Sequence, residues 1–133
     1  MNLVEDRGVS GSLGVAQDAN IAVPTSSAEA VTQWLGKFEQ AIKRREERAL
    51  SGLFVEDSHW RDLFIFTSTI TPRSGRKALT DTLLKALPPS NPRNFTIAEG
   101  RTAPREVTRS GERVVEAIFS FETDDLHGVG VLR

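Results

Sequence analysis

Asp57-Ser58-His59-Trp60-Arg61-Asp62-Leu63-Phe64-Ile65-Phe66-Thr67 is where the hydrophobic period of this chain changes. Before it, apolar residues recur at helical spacing; within it, aromatic and β-branched residues crowd together as they do in strands. Upstream, Val31, Trp34, Leu35, Phe38, Ala41 and Ile42 fall on one helical face. Lys37, Glu39, Gln40, Lys43 and Arg44 occupy the other, as expected of an amphipathic helix with a buried stripe. Ser26 followed by Glu29 is a capping box, so the helix opens at Ser26. Lys43 to Arg48 interrupts the stripe before Ala49, Leu50, Leu53 and Phe54 restart it. Either the helix continues or a short second one begins near Glu46, with no Gly or Pro to force a bend.

Downstream, Thr69-Ile70-Thr71 is expected to form a second strand, broken by Pro72 and Ser74-Gly75. Leu79, Leu83, Ala86 and Leu87 define another amphipathic helix, stopped by Pro88-Pro89. From Phe95 the chain reads as antiparallel sheet. Ser110-Gly111 is a hairpin turn, and Val115, Ala117, Phe119 and Phe121 share one face opposite Glu116, Ser120 and Glu122. Asp124 to Gly128 is a second turn, leading to Val129-Gly130-Val131-Leu132. Helices early and strands late predict an α+β domain over 26–133, with two or three helices on a curved antiparallel sheet. Residues 1–25, rich in Gly, Ser, Asp and Ala without period, read as a flexible N-terminal tail.

Composition narrows the functions open to such a domain. At 133 residues there is one core's worth of chain. Seventeen basic against 18 acidic residues, a net charge of −1, supply no bulk field for nucleic acid or an anionic membrane. The absence of cysteine excludes disulfides and thiol chemistry. With neither a secretion signal nor a membrane-length apolar run, the expected location is the cytoplasm. His59 and His127 are the only histidines and lack metal-ligand spacing, so no metal site is expected. No serine lies in a G-x-S-x-G elbow. Gly8 to Gly14 has glycines but no preceding strand or following helix, and Gly128-Val129-Gly130 lacks the third glycine; neither is a dinucleotide site.

The order of elements, with Leu53 to Asp62 leading into a strand pair, resembles the cone-shaped (cystatin-like) fold of nuclear-transport-factor-two-like, or SnoaL-like, proteins. More narrowly, Asp57-Ser58-His59-Trp60-Arg61-Asp62-Leu63 and the ending Gly128-Val129-Gly130-Val131-Leu132-Arg133 look like the N-terminal domain of certain flavin-containing monooxygenases. The resemblance covers roughly residues 28–133. Two departures stand out: Thr67-Ser68 replaces a Thr-Trp pair, and the strand that closes the family's sheet after the Gly-rich one is missing. An unclosed sheet exposes an edge, so the chain is read either as C-terminally incomplete or as pairing that edge with a partner.

The resemblance implies an accessory domain, or truncated product, of a flavoprotein monooxygenase-like oxidoreductase. FAD and NADPH then belong to a downstream region, and this chain carries no cofactor site. A second reading is a stand-alone, cofactor-free isomerase, dehydratase or cyclase. Cone-fold enzymes place a carboxylate in an apolar cavity, where burial favours its protonated form. Asp62 is the candidate acid/base, in a pocket lined by Trp60, Phe64, Phe66, Phe119 and Phe121, with His59 a weaker candidate because strand alternation puts it on the other face. Equally, Asp62 pairs with an arginine or caps a turn. A third reading is a non-catalytic module that dimerises through the open sheet face or holds a small organic ligand. The substrate or ligand is not encoded in any motif.

Overall fold

The computed structural model of the chain describes residues 2–5, 26–63, 65–67 and 70–133. Helix α1 spans Ser27–Arg44, and the Ser26 side chain accepts from the Glu29 N–H at 3.1 Å. Its apolar stripe is buried as the periodicity predicts, with Val31, Trp34, Leu35, Phe38 and Ile42 at most 2% exposed. The helix ends without Gly or Pro because Arg45 takes a left-handed conformation (φ 54°). The Arg45 N–H then donates to the Ile42 carbonyl (3.2 Å) and the Glu46 N–H to the Ala41 carbonyl (3.0 Å). Those two bonds close the helix end and offset the cost, about 1–2 kcal/mol, of a non-glycine residue there. The chain turns into a second short helix, α2 (Glu47–Ser51). The Trp34 indole N–H donates to the Leu53 carbonyl at 3.1 Å, tying the segment after α2 back onto α1.

Strand β1 (Asn2–Glu5) is antiparallel to β2 (His59–Leu63), which pairs in turn with β3 (Ile70–Ser74). Two sequence expectations change here. Part of the stretch read as an N-terminal tail is a paired strand, while residues 6–25 lie outside the described residues. And β3 runs through Pro72 instead of ending there. As the outer member of the order β1-β2-β3, it tolerates a residue with no N–H to give.

Helix α3 (Arg76–Ala86) follows, entered through Gly75 at φ 90° and left through a turn of 3₁₀ helix at Pro88–Ser90. Strands β4 (Arg93–Ile97), β5 (Arg105–Arg109), β6 (Glu112–Glu122) and β7 (His127–Leu132) complete the order. The long β6 pairs antiparallel with the other three. The predicted Ser110-Gly111 hairpin is present, with both residues at positive φ (51° and 83°), as a tight two-residue turn between right-twisted strands requires. β1 also lies alongside β7, bringing the two groups of strands together. The described residues thus form an α+β fold, three helices with a curved antiparallel sheet and no barrel. No described helix is long and apolar enough to cross a membrane.

The core is aromatic. Phe121 is sandwiched between Phe95 (centroids 5.1 Å apart, planes 13°) and Phe66 (5.4 Å, 19°). Phe95 in turn meets Phe38 of α1 edge-on at 5.2 Å. This stack explains Gly128: a Cβ there would lie 2.2 Å from the Phe121 ring. With a ring on either side of it, Phe121 has little room to retreat. Gly128→Ala is therefore expected to cost about 1–3 kcal/mol of stability. Urea denaturation checks this, through a lower midpoint at unchanged slope.

Candidate functional site

β2 alternates exposed and buried residues from His59 to Asp62, so His59 and Arg61 face outward while Trp60 and Asp62 face the core. Asp62 has no solvent exposure. The three consecutive backbone N–H groups of Ile65, Phe66 and Thr67 curl around its carboxylate. Ile65 donates to Oδ1 at 3.1 Å, and Phe66 and Thr67 donate to Oδ2 at 3.1 and 2.7 Å. The Thr67 hydroxyl adds a fourth bond to Oδ2 at 2.8 Å. Successive N–H groups in a turn make a concavity that binds anions, and here the anion is the chain's own side chain. A carboxylate offers about four lone-pair directions. Asp62 accepts one bond at Oδ1 and three at Oδ2, and together these fix the chain that leaves β2.

Of the aromatic residues expected to line a pocket, Phe66 and Phe119 both pack on Phe121. Trp60, Phe119 and Phe121 are each at most 2% exposed, and Phe119 lies 6.0 Å from both Phe121 and Phe95. Phe95, absent from the expected pocket, is central to this cluster, and its β-strand alternation was the signal for it. Phe64 lies outside the described residues. The Trp60 indole nitrogen is buried and has no hydrogen-bond partner among the described residues. Phe66 also lines a surface cleft. His59 stands on the opposite face from Asp62, its Nδ1 2.9 Å from the Ser74 hydroxyl, so the two form no dyad. The described residues contain no cluster of three or more His, Cys, Asp or Glu side chains able to hold a metal ion. Gly128 and Gly130 sit inside the paired strand β7, not in a turn before a helix, so they do not fit a dinucleotide pyrophosphate.

The cleft, about 600 Å³, lies between the 65–67 turn, β3 and the second half of α3. Phe66 and Thr67 form one wall, and Arg73, Thr82 and Lys85 bring polar groups from the other side. Periodicity could not single these three out, because on an exposed helix face and an edge strand they read as ordinary solvated positions.

A second, half-buried carboxylate on the sheet is that of Glu116. Alternation places it opposite Phe119 and Phe121, where an outward carboxylate is expected, yet its side chain is only 14% exposed. Arg133 and Arg109 reach its Oε2 at 2.6 and 2.8 Å, and Arg105 approaches Oε1 at 3.6 Å. The hydrogen bond from Arg133, then that from Arg109, together with both positive charges, holds the carboxyl down at about 2, against partial burial that pushes the other way.

No protein-family model matches the chain, and no curated protein matches it significantly.

Two predictions follow from these carboxylates. Asp62→Ala, which strips the acceptor from three consecutive N–H groups, is expected to lose about 2–4 kcal/mol in urea unfolding. Asp62→Asn keeps one acceptor oxygen and should lose about 1–2. For Glu116 the folded value lies below the ordinary 4.5 of the unfolded chain, so its contribution is complete above pH 4.5 and is lost as pH falls toward 2. Glu116→Gln should remove part of that acid slope, about 1–2 kcal/mol once solvent screening of the exposed arginines is allowed for. Thermal unfolding between pH 2 and 6 measures it.

Proposed function

We propose that this chain is a SnoaL-like accessory domain, akin to the N-terminal domain of flavin-containing monooxygenases, that binds and assembles without performing chemistry. What supports this reading most is Asp62. The one carboxylate placed for acid/base work in a cone-type core is held by four hydrogen bonds to the turn that follows it. The curved sheet, the three helices and their order agree with a cone-type fold. The aromatic side chains expected around a substrate are packed against each other. In this reading FAD and NADPH are held by a separate flavoprotein region, and the present chain contributes neither a pyrophosphate turn nor a redox centre. Its partners are a second copy through the sheet face or a small organic ligand, and its location is cytoplasmic.

A cofactor-free enzyme is the second reading, and one contact favours it. Thr67, whose Oγ1 donates to Asp62, is also one of the residues lining the cleft, so the carboxylate lies one residue behind the cleft wall.

The purified 133-residue chain, mixed with FAD and NADPH and passed over a sizing column with light scattering, is expected to elute colourless. It should oxidise NADPH no faster than free flavin does. A yellow peak with stoichiometric flavin overturns the accessory role. Conversion of a β,γ-unsaturated ketone to its conjugated isomer, followed by ultraviolet absorbance, tests the second reading. Turnover lost in a folded Asp62→Asn chain would establish the enzyme in place of the accessory domain.

A further inference from the structure

We infer that the cleft between β3 and α3 is a binding site for a small aromatic carboxylate. This goes beyond the accessory role and does not depend on which larger protein, if any, the domain serves.

Arg73, Lys85 and Asp81 all line the cleft. Asp81 is already matched, because Lys77, one helical turn earlier, holds it at 3.0 Å. Lys85 has no ion pair or hydrogen bond among the described residues. Arg73 is held in place by neutral groups, its Nε donating to Thr82 Oγ1 at 3.2 Å and its Nη1 to the Pro72 carbonyl at 2.8 Å. That leaves Nη2 without a partner among the described residues. Two positive charges therefore face the same space with no carboxylate assigned to them, and an anion is the group that completes them.

About 600 Å³ falls within the range of small-molecule sites and far exceeds what a bare inorganic anion fills. The rest of the lining says what the remainder of the ligand is. Phe66, Ala86 and Pro89 give an apolar wall, and Thr67 and Thr82, whose hydroxyls bond to Asp62 and to the Ala78 carbonyl, stand beside it. Phe66 is braced from behind by Phe121, and its chain is fixed by the Asp62 turn, so the ring is a rigid platform for a second flat group. A planar apolar body against Phe66, with its carboxylate toward Arg73 and Lys85, satisfies every feature of the lining except Asp81, which opposes it weakly.

The probe is 2-naphthoate, titrated into the full chain by isothermal calorimetry at low ionic strength. Saturable one-to-one binding is expected. Arg73→Gln and Lys85→Gln should each weaken it about five- to tenfold, the range of a partly exposed charge-assisted contact. Asp81→Asn, which removes the opposing charge, should strengthen it about twofold. Arg101→Gln, the same charge change on an exposed loop, should leave it unaltered. All four substitutions lie at the surface, and circular dichroism verifies that each variant is folded. The assignment is overturned if no saturable binding occurs, or if Arg73→Gln and Lys85→Gln both bind as the original does. It is overturned as well if the neutral 2-naphthalenemethanol binds equally well, which removes the anion. Inorganic phosphate binding as tightly as naphthoate removes the aromatic body and sinks it on that side.

Discussion

The carboxylate of Asp62, closed inside the N–H groups of residues 65–67, is the contact from which the rest of the arrangement descends. A strand that enters the core must leave it again, and the backbone groups of its exit turn need partners once water is gone. Asp62 supplies them from within the same strand. The turn so fixed sets Phe66 against Phe121, and Phe121 in turn requires the bare backbone of Gly128. Phe95 on the far side of Phe121 carries the packing to Phe38 and α1. One buried charge, satisfied locally, thus orders a line of rings from the hairpin to the first helix.

The same turn separates two environments. Behind it the aromatic cluster is closed to solvent; in front of it the cleft is open and cationic. Phe66 belongs to both. Any molecule seated in the cleft rests on residues whose positions the core dictates, so its recognition borrows rigidity from packing that it never touches.

Periodicity carried a large part of this into view. The α1 stripe, the Ser26 cap, the Ser110-Gly111 hairpin and the inward face of β6 are short-range patterns, and each occurs where its spacing puts it. The facing of β2 was legible too, since alternation alone sends Trp60 and Asp62 inward. What alternation does not specify is the partner. That Asp62 meets three N–H groups depends on the path of the following residues, and a single Asp in a strand carries no mark of it. β1 was missed because Asn2–Glu5 is too short to show a period and its pairing partner is more than fifty residues away. Pro72 misled in the opposite direction, because a proline ends a central strand but is admitted on an edge. Arg73, Thr82 and Lys85 converge only through tertiary structure.

The position of β1 has a consequence for how the chain assembles. It lies between the hairpin strand β2 and β7, so it joins segments from opposite ends of the sequence. Closing so long a loop costs entropy that no local contact repays, whereas the β5–β6 and β6–β7 ladders form between near neighbours. β1 therefore pairs at an entropic cost that the two local ladders do not bear. The free energy of its local opening sets how often β2 and β7 present unpaired backbone to their surroundings. The seam that β1 makes with β2 and β7 thus ties the two ends of the described chain into one sheet.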